Sequence, residues 1–261
     1  MLISFYAAPR ITPRFWPVIL RNLLVWRKLA AASIVGNIAE PLITLVAFGY
    51  GLGSMIGQVQ GLPYITYLAS GSVAVSAALA ATFEALYSAY SRMQVQKTWD
   101  SIMNAPIALD DIVFAEMLWA AMKSLFSVSA IMVVIFSLAI SRAPSMLLAL
   151  PLLWFVGVTF ASIALVFNAL AKGYDFFTYY FTLVLTPMTF LSGVYFPIDQ
   201  MPVWLQWVAK VLPLTAAVQI VRPLMIGEMP IDWLRPLAVL AAYAAAGYYL
   251  ALVLTRRRFF K

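Results

Sequence analysis

Along this chain the hydrophobic residues do not alternate with polar ones; they run in blocks of twenty or more, separated by short polar breaks. About 20 apolar residues are needed to carry a helix across a hydrocarbon core of about 30 Å. Blocks of that length fall near 30–53, 64–90, 112–140, 145–170, 176–196 and 235–255. The breaks carry turn chemistry, with GQVQGLP at 57–63, SRAP at 141–144 and KGYD at 172–175. The pattern predicts an all-α integral membrane protein with six transmembrane helices, organised as one transmembrane domain over 1–261, and no break is long enough to hold a soluble domain.

Two further stretches are apolar without reading as spans. In RFWPVILRNLLVWRK, 14–28, Arg14, Arg21 and Lys28 stand seven apart on one helical face, while Phe15, Trp16, Ile19, Leu20, Leu23 and Trp26 cover much of the rest. Such a helix lies in the membrane interface. The second stretch, 197–228, carries Gln206, Lys210, Gln219 and Arg222 and is interrupted by Pro213 and Pro223. It predicts two short helices over about 200–226 that dip into the membrane and return on the same side.

Charge orients these pieces. With six spans and the N-terminus inside, 12 of the 17 Lys and Arg residues face the cytoplasm, four (Arg142, Lys210, Arg222, Arg235) lie outside, and Lys123 falls within a span. A seventh span would carry the terminal RRRFFK outside and break the positive-inside rule. Both termini are therefore expected in the cytoplasm. The net charge of +7 is explained by this asymmetry, so no nucleic-acid partner is expected. The opening MLISFYAAPR lacks a basic start, and a cleaved leader is not expected.

Composition then narrows the chemistry. The chain is 64% hydrophobic and 10% charged, against about 25% charged in soluble domains. It has no Cys and no His, which removes disulfides, thiol nucleophiles, the commonest zinc ligands and any Ser-His relay. No metal site and no catalytic residue is expected. The phosphate cradle GxxxxGK[ST] occurs nowhere; GYGLGSMIG at 49–57 has no lysine. Its glycines at 49, 53, 57 and 61 serve either close helix packing or a flexible span end.

One segment departs from its surroundings. Between 92 and 112 the chain collects Arg92, Gln94, Gln96, Lys97, Asp100, Asn104, Asp110 and Asp111 in its one substantial cytoplasmic loop. Trp99, Ile102 and Met103 at i, i+3 and i+4 predict a short helix with one apolar face, capped by Thr98 and ended by Pro106, with Asp110 or Asp111 capping the next helix. Two readings are open: a docking surface, or a solvated hairpin joining two spans.

The order of these parts, and the string FLSGVYFPIDQMPVWLQWVAKVLPLTAAVQIVRPL at 190–224, resemble the membrane subunit of type-2 ABC transporters. EPLITLVAFGYGLG at 40–53 and ATFEALYSAYSRMQVQKTWDSIMNAPIALDDIVFAEMLWAAMKS at 81–124 look closer still to the branch that exports nodulation lipo-oligosaccharides. The resemblance covers nearly the whole chain. It implies a permease of the bacterial inner membrane that binds no cofactor itself. Two copies would assemble with two ATPase subunits that hold ATP and magnesium, exporting an amphiphile such as a lipo-oligosaccharide, glycolipid or hydrophobic drug-like compound. It also implies a coupling helix over about 97–105, made by Lys97, Thr98, Trp99, Asp100, Ser101, Ile102 and Met103, that inserts into a groove of the ATPase.

Ionisable groups inside a membrane are costly and are read as functional by default. Glu40, near mid-membrane before Pro41, either lines a pathway or braces helices as a protonated or paired group. Glu84, Glu116 and Lys123 form structural or gating ion pairs, snorkel, or touch substrate. Phe177 and Tyr180, in the aromatic run at 176–181, belong either to an interfacial belt or to a lateral opening that the resemblance places between the first and fifth spans. The rival functional classes are a proton-coupled secondary transporter using Glu40 and a structural protein. Two related halves, common in secondary transporters, are not detectable.

Overall fold

The computed structural model describes residues 5–260, apart from the side chains of Asn37, Ile38 and Glu40. Among the described residues ten helices follow in order, besides a 3-10 turn at Ile198–Gln200. Helix α1 is Phe15–Arg27, α2 is Ala30–Ile56, α3 is Tyr64–Val95, and α4 is the six-residue Thr98–Met103. Helix α5 is Leu109–Ser137, α6 is Met146–Leu170, α7 covers 175–191, α8 is Val203–Val211, α9 is Pro213–Ile226 and α10 is Leu234–Phe259. The fold is all-α, with one small exception. Gln58–Val59 pairs antiparallel with Leu62–Pro63, closed by a turn in which Gln60 and Gly61 both take positive φ (51° and 78°), the conformation a two-residue hairpin demands.

Five helices, α2, α3, α5, α6 and α10, are long and apolar enough to cross a membrane. Helix α7, with only 17 residues over 175–191, is not one of these five, yet it runs beside α3. Its first turn packs Phe177 against Tyr87 and Tyr90 near the end of α3, while Gly193, just past its last turn, accepts a hydrogen bond from Tyr67 near the start of α3. Helix α7 therefore covers the same depth as α3. It stops at 191, short of the expected 196, because Gly193 turns the chain at φ 74°.

Helices α8 and α9 do not cross. They have 9 and 14 residues, about 14 and 21 Å long at 1.5 Å per residue, and are bent 82° apart. Leu212 sits extended before Pro213, as the residue preceding proline prefers, and Pro213 then opens α9 where its missing N–H costs nothing. The pair starts beside the N-terminal end of α3. It ends where Ser145 Oγ donates to Leu224 O at 2.7 Å and Ser141 to Met225 O, in the turn between α5 and α6. Both ends thus lie on one face, the re-entrant arrangement expected from the broken, polar sequence. The other face carries residues 5–12, α4, the turn at 170–175 and the end of α10, tied together by Arg256 and Arg258. This is called the terminal face below.

Small residues set how closely the helices pack. Helix α3 is central and buries Val73, Ala74, Ala77, Ala78, Ala81 and Ala85. A Cβ on Gly157 of α6 would lie 2.4 Å from Ser124 Oγ and 3.0 Å from Ala121 Cα of α5, and one on Gly247 of α10 would lie 2.7 Å from Ser162 Oγ of α6. The glycines at 49–61 form no such stripe. Only Gly49 meets a close neighbour, the side chain of Ile65, while Gly57 and Gly61 serve the turn. Helix α2 lies at the periphery, with Val35, Ile43, Val46, Tyr50 and Met55 exposed. Helix α1 packs across α5 through Phe15 on Phe114 and Trp26 on Trp119. Its uncovered face shows Trp16, Leu20, Leu24 and Val25, an apolar surface suited to lipid.

Candidate functional site: an ion cluster behind the short helix of the terminal face

Helix α3 is not regular near the terminal face. It widens into π-helical turns at Glu84–Ser88 and Ser91–Val95, a distortion frequent at functional sites. Asn168 of α6, itself buried, fits the first wide turn by donating Nδ2 to Ala85 O at 2.7 Å and Leu86 O at 3.3 Å.

Two carboxylates and two cations meet at these turns. Glu84 accepts from Arg92 Nη2 at 2.8 Å, Trp119 Nε1 at 2.8 Å and Lys123 Nζ at 2.6 Å. Glu116 of α5 accepts from Arg92 Nε at 2.9 Å, Arg92 Nη2 at 2.5 Å and Trp99 Nε1 at 3.2 Å. The Glu84 and Glu116 side chains are 3% and 1% exposed. Charges so far from water persist only when paired and hydrogen-bonded, and here two carboxylates balance two cations. The sequence offered ion pairing for Glu84, Glu116 and Lys123 without naming partners; Lys123 pairs with Glu84. Glu116 reaches Arg92 rather than Lys123, although Lys123 follows it on the same helix.

The short helix α4 is fastened to this cluster from outside. Trp99 is buried, donates to Glu116 and stacks on Phe259 of α10 at 6.1 Å between ring centres. Ile102 and Met103 are half-buried on the same side. The apolar face of α4 is therefore turned into its own chain. Its outward face is polar: Lys97, Asp100, Ser101 and Asn104 are all exposed and recur at i, i+3, i+4 and i+7, the spacing of one helical ridge. Thr98 does not cap the helix. Lys97 takes the N-cap position in left-handed conformation (φ 50°), and no side chain caps the helix there.

A second polar knot holds the same face. Asp111 bonds Thr12 through N at 2.6 Å and Oγ1 at 2.9 Å, and it reaches back to Ala108 N at 3.4 Å at the start of α5. Neither aspartate is the N-cap expected from the sequence; Ala108 takes that position, and Asp111 supports it from the third residue of the helix. Asp110 forms a fork with Arg256, Nε to Oδ1 at 3.0 Å and Nη2 to Oδ2 at 2.5 Å, and accepts Arg10 N at 2.9 Å. Arg256 also donates to Ala7 O at 2.6 Å, and Arg14 to Pro106 O at 2.5 Å. The segment before α1 is thereby strapped to α5 and α10.

The remaining sequence candidates separate. Phe177 and Tyr180 are buried in packing, Phe177 edge-on to Tyr87 and Tyr90 and Tyr180 4.5 Å from the Phe167 ring. Tyr179 is the exposed member of the run. The backbone at Glu40 is helical within α2, one residue before Pro41, and its side chain lies outside the described residues. Arg92, Trp119, Asp110 and Arg256 escaped notice as a group because their partners lie on other elements or, for Arg92 and Glu84, eight residues apart on α3. Arg222, counted outside by charge, is anchored inside the re-entrant pair's seam, its guanidinium 3.8 Å over the Tyr67 ring and Nη2 2.8 Å from Gly193 O.

The sequence profile of the ABC-2 type transporter family matches residues 13–226, from the start of the interfacial helix to the end of the re-entrant pair. The chain belongs to this family. Nodulation protein J of Rhizobium meliloti (strain 1021) is 43% identical to this ABC-2 permease over 238 residues, 91% of each chain. Nodulation protein J of Rhizobium leguminosarum bv. trifolii is 44% identical over the same length, again 91% of each. The inner membrane transport permease YadH of Escherichia coli (strain K12) is 23% identical over 228 residues, 85% of this chain and 88% of its own. The ABC-2 permease is thus an integral membrane protein whose match spans α4, the ion cluster and the re-entrant pair.

Proposed function

We propose that this ABC-2 permease is the membrane subunit of an ATP-driven exporter that moves an amphiphile outward across the bacterial inner membrane, a lipo-oligosaccharide being the favoured class. A separate ATPase subunit would hold ATP and magnesium and dock on α4. The observation that carries this reading is the two-sided build of that helix. Its polar ridge of Lys97, Asp100, Ser101 and Asn104 is free to meet a partner, while Trp99 on the inner side is tied to Glu116. A push on the ridge passes through Trp99 and Glu116 to Arg92 and Glu84, hence into α5 and the widened turns of α3.

Orientation follows from charge. Arg10, Arg14, Arg21, Arg27, Lys28, Arg92, Lys97, Lys172 and Arg256 to Arg258 belong to the terminal face, which supports placing it, with both termini, in the cytoplasm. Six spans give little room for a conduit, and the exposed apolar face of α2 supports a homodimer of permeases with two ATPase subunits. The similarity to nodulation protein J supports the substrate class.

The test is to purify the chain gently from its membrane and measure whether an ATPase subunit accompanies it in equal amount. Asp100→Arg and Ser101→Arg, both on exposed positions, should release that subunit while leaving the melting temperature of the permease unchanged. Trp99→Phe should keep the association but weaken substrate-stimulated ATP turnover. A chain that arrives alone in every mild detergent would sink the reading. Proton-coupled transport through Glu40, read by uptake into vesicles of wild type and Glu40→Gln, would then be the alternative.

A further inference from the structure

Between α1, the start of α2, the widened turns of α3 and α5 lies an open cavity of about 440 Å³ on the terminal face. Its walls include Arg21, Asn22 and Trp26 from α1, Arg92 from α3 and Lys123 from α5. Hydrogen-bond accounting at this cavity is one-sided. Both carboxylates, Glu84 and Glu116, are saturated by the ion cluster. The buried groups left over in its walls are donors: among the described residues, Asn22 Nδ2 and Trp26 Nε1 are buried without a partner. Asn22 itself is 3% exposed, and an orphaned buried donor costs about 1–3 kcal/mol unless a ligand or water fills it.

Charge leans the same way. Around the cavity Arg21, Arg92 and Lys123 face Glu84 and Glu116, which leaves one cation in excess. Arg92 and Lys123 are spent on the carboxylates, and the unspent charge is Arg21, whose bond is to the neutral Asn22 Oδ1 at 2.9 Å. Burial and then the nearby Arg92 charge lower the Arg21 pKa, as expected where positive charge is crowded.

The mouth of the cavity adds a second property. Val25 and Leu29 line it and are strongly exposed, so an apolar rim adjoins a polar, donor-rich floor. Helix α1 belongs to the interfacial class by its pattern, which sets this rim at headgroup depth.

From these observations we infer that the cavity is a binding site for a singly charged oxyanion, a phosphodiester or sulfate ester, held by Arg21, Asn22 Nδ2 and Trp26 Nε1, with the chain of a membrane amphiphile leaving over Val25 and Leu29. The site requires neither a transport step nor an ATPase. Its volume suits a headgroup, falling in the ordinary range of ligand clefts of about 300–1,000 Å³.

The experiment uses the full chain in maltoside micelles. Phosphatidylglycerol, which carries one phosphodiester charge, and zwitterionic phosphatidylcholine are titrated separately and retained lipid is counted by native mass spectrometry; inorganic phosphate alone is titrated by calorimetry. Phosphatidylglycerol should be held at one per chain and on the order of tenfold more tightly than phosphatidylcholine, as a charge-assisted contact implies. Arg21→Gln should lower that affinity by about tenfold or more. Asn22→Asp, nearly equal in size, should abolish binding by setting a carboxylate at the anion, and serves if Arg21→Gln folds poorly. Tight binding of the lipid alone assigns the oxyanion to a membrane amphiphile, whereas Arg21-dependent binding of inorganic phosphate with no gain from the lipid tail assigns it to a free anion. Equal retention of both lipids without phosphate binding, or affinities indifferent to Arg21 and Asn22, would overturn the site.

Discussion

Replacing Glu116 by Gln tests whether the ion cluster is held as a balanced unit. The substitution keeps the size of the side chain and removes one charge. Arg92 then loses the carboxylate that takes its Nε at 2.9 Å and its Nη2 at 2.5 Å, and Glu84 alone must serve both Arg92 and Lys123. With the Arg92 side chain 13% exposed and the Glu116 side chain 1%, the uncompensated charge is poorly reached by water. Breaking a buried pair from one side costs about 3–5 kcal/mol. At about 2–4 °C per kcal/mol for a chain of this length, the melting temperature should fall by roughly 6–20 °C. Removing both partners is different. Arg92→Met with Glu116→Leu deletes the pair and leaves Glu84 matched to Lys123 at 2.6 Å, so the doubly substituted chain should recover most of the loss, because apolar replacement of a buried pair is often neutral. The assay is thermal unfolding of the purified permease in one fixed detergent, read for wild type, each single variant and the double. Additive losses, or a Glu116→Gln chain within about 1 °C of wild type, would refute the claim that the cluster is dry and balanced.

Other positions test separate parts of the fold. Gly157→Val forces two methyl groups between α6 and α5 where Ser124 Oγ already lies 2.4 Å from an added Cβ, and should cost about 1–3 kcal/mol by overpacking, read by the same melt; Gly36→Ala, with no neighbour within 4 Å, is its control. Asp110→Asn loosens the fork to Arg256 and the bond to Arg10 N, so trypsin should cut after Arg10 and Arg14 on the order of tenfold faster, the factor that about 1.4 kcal/mol of local opening gives. Arg222→Lys keeps the charge but loses the planar contact over Tyr67 and the fork to Ser70 and Gly193; a loss of about 1.5–3 kcal/mol is expected from charged hydrogen bonds, and an unchanged melt would show that any cation suffices.

Much of the architecture was legible because a membrane leaves few options. Backbone groups in hydrocarbon must be satisfied within helices, so long apolar blocks translate directly into spans. The broken stretch at 197–228 was legible for a local reason, Pro213 and the polar residues around it. What the sequence hid lies between helices. Glu84 and Arg92 are eight residues apart on α3 and Glu116 is on another helix, a spacing outside the i, i+4 rule, so no periodicity announces the bridge. The direction of Trp99 was hidden too. Its spacing with Ile102 and Met103 revealed an apolar face but not that α5 and Phe259 would cover it. The sequence pattern therefore found the short helix and its apolar face, and the fold turns that face inward.

That reversal sharpens the coupling argument. A helix whose apolar face docked on a partner would be held weakly by its own chain, and a push on it would be absorbed by its own movement. Here the inner face is fixed by an aromatic stack and a hydrogen bond to a saturated carboxylate, so a displacement has stiff groups to travel through. The cluster it meets sits on π-helical turns of α3, where an extra residue per turn already departs from the regular ladder and a return to α-helical winding would rotate everything beyond it. The rest of α3 is packed by Ala and Val against α5 and α6. If the proposed docking on α4 holds, Trp99 would be the rigid input and 84–95 the windable segment of a relay, joined by Glu116, Arg92 and Glu84.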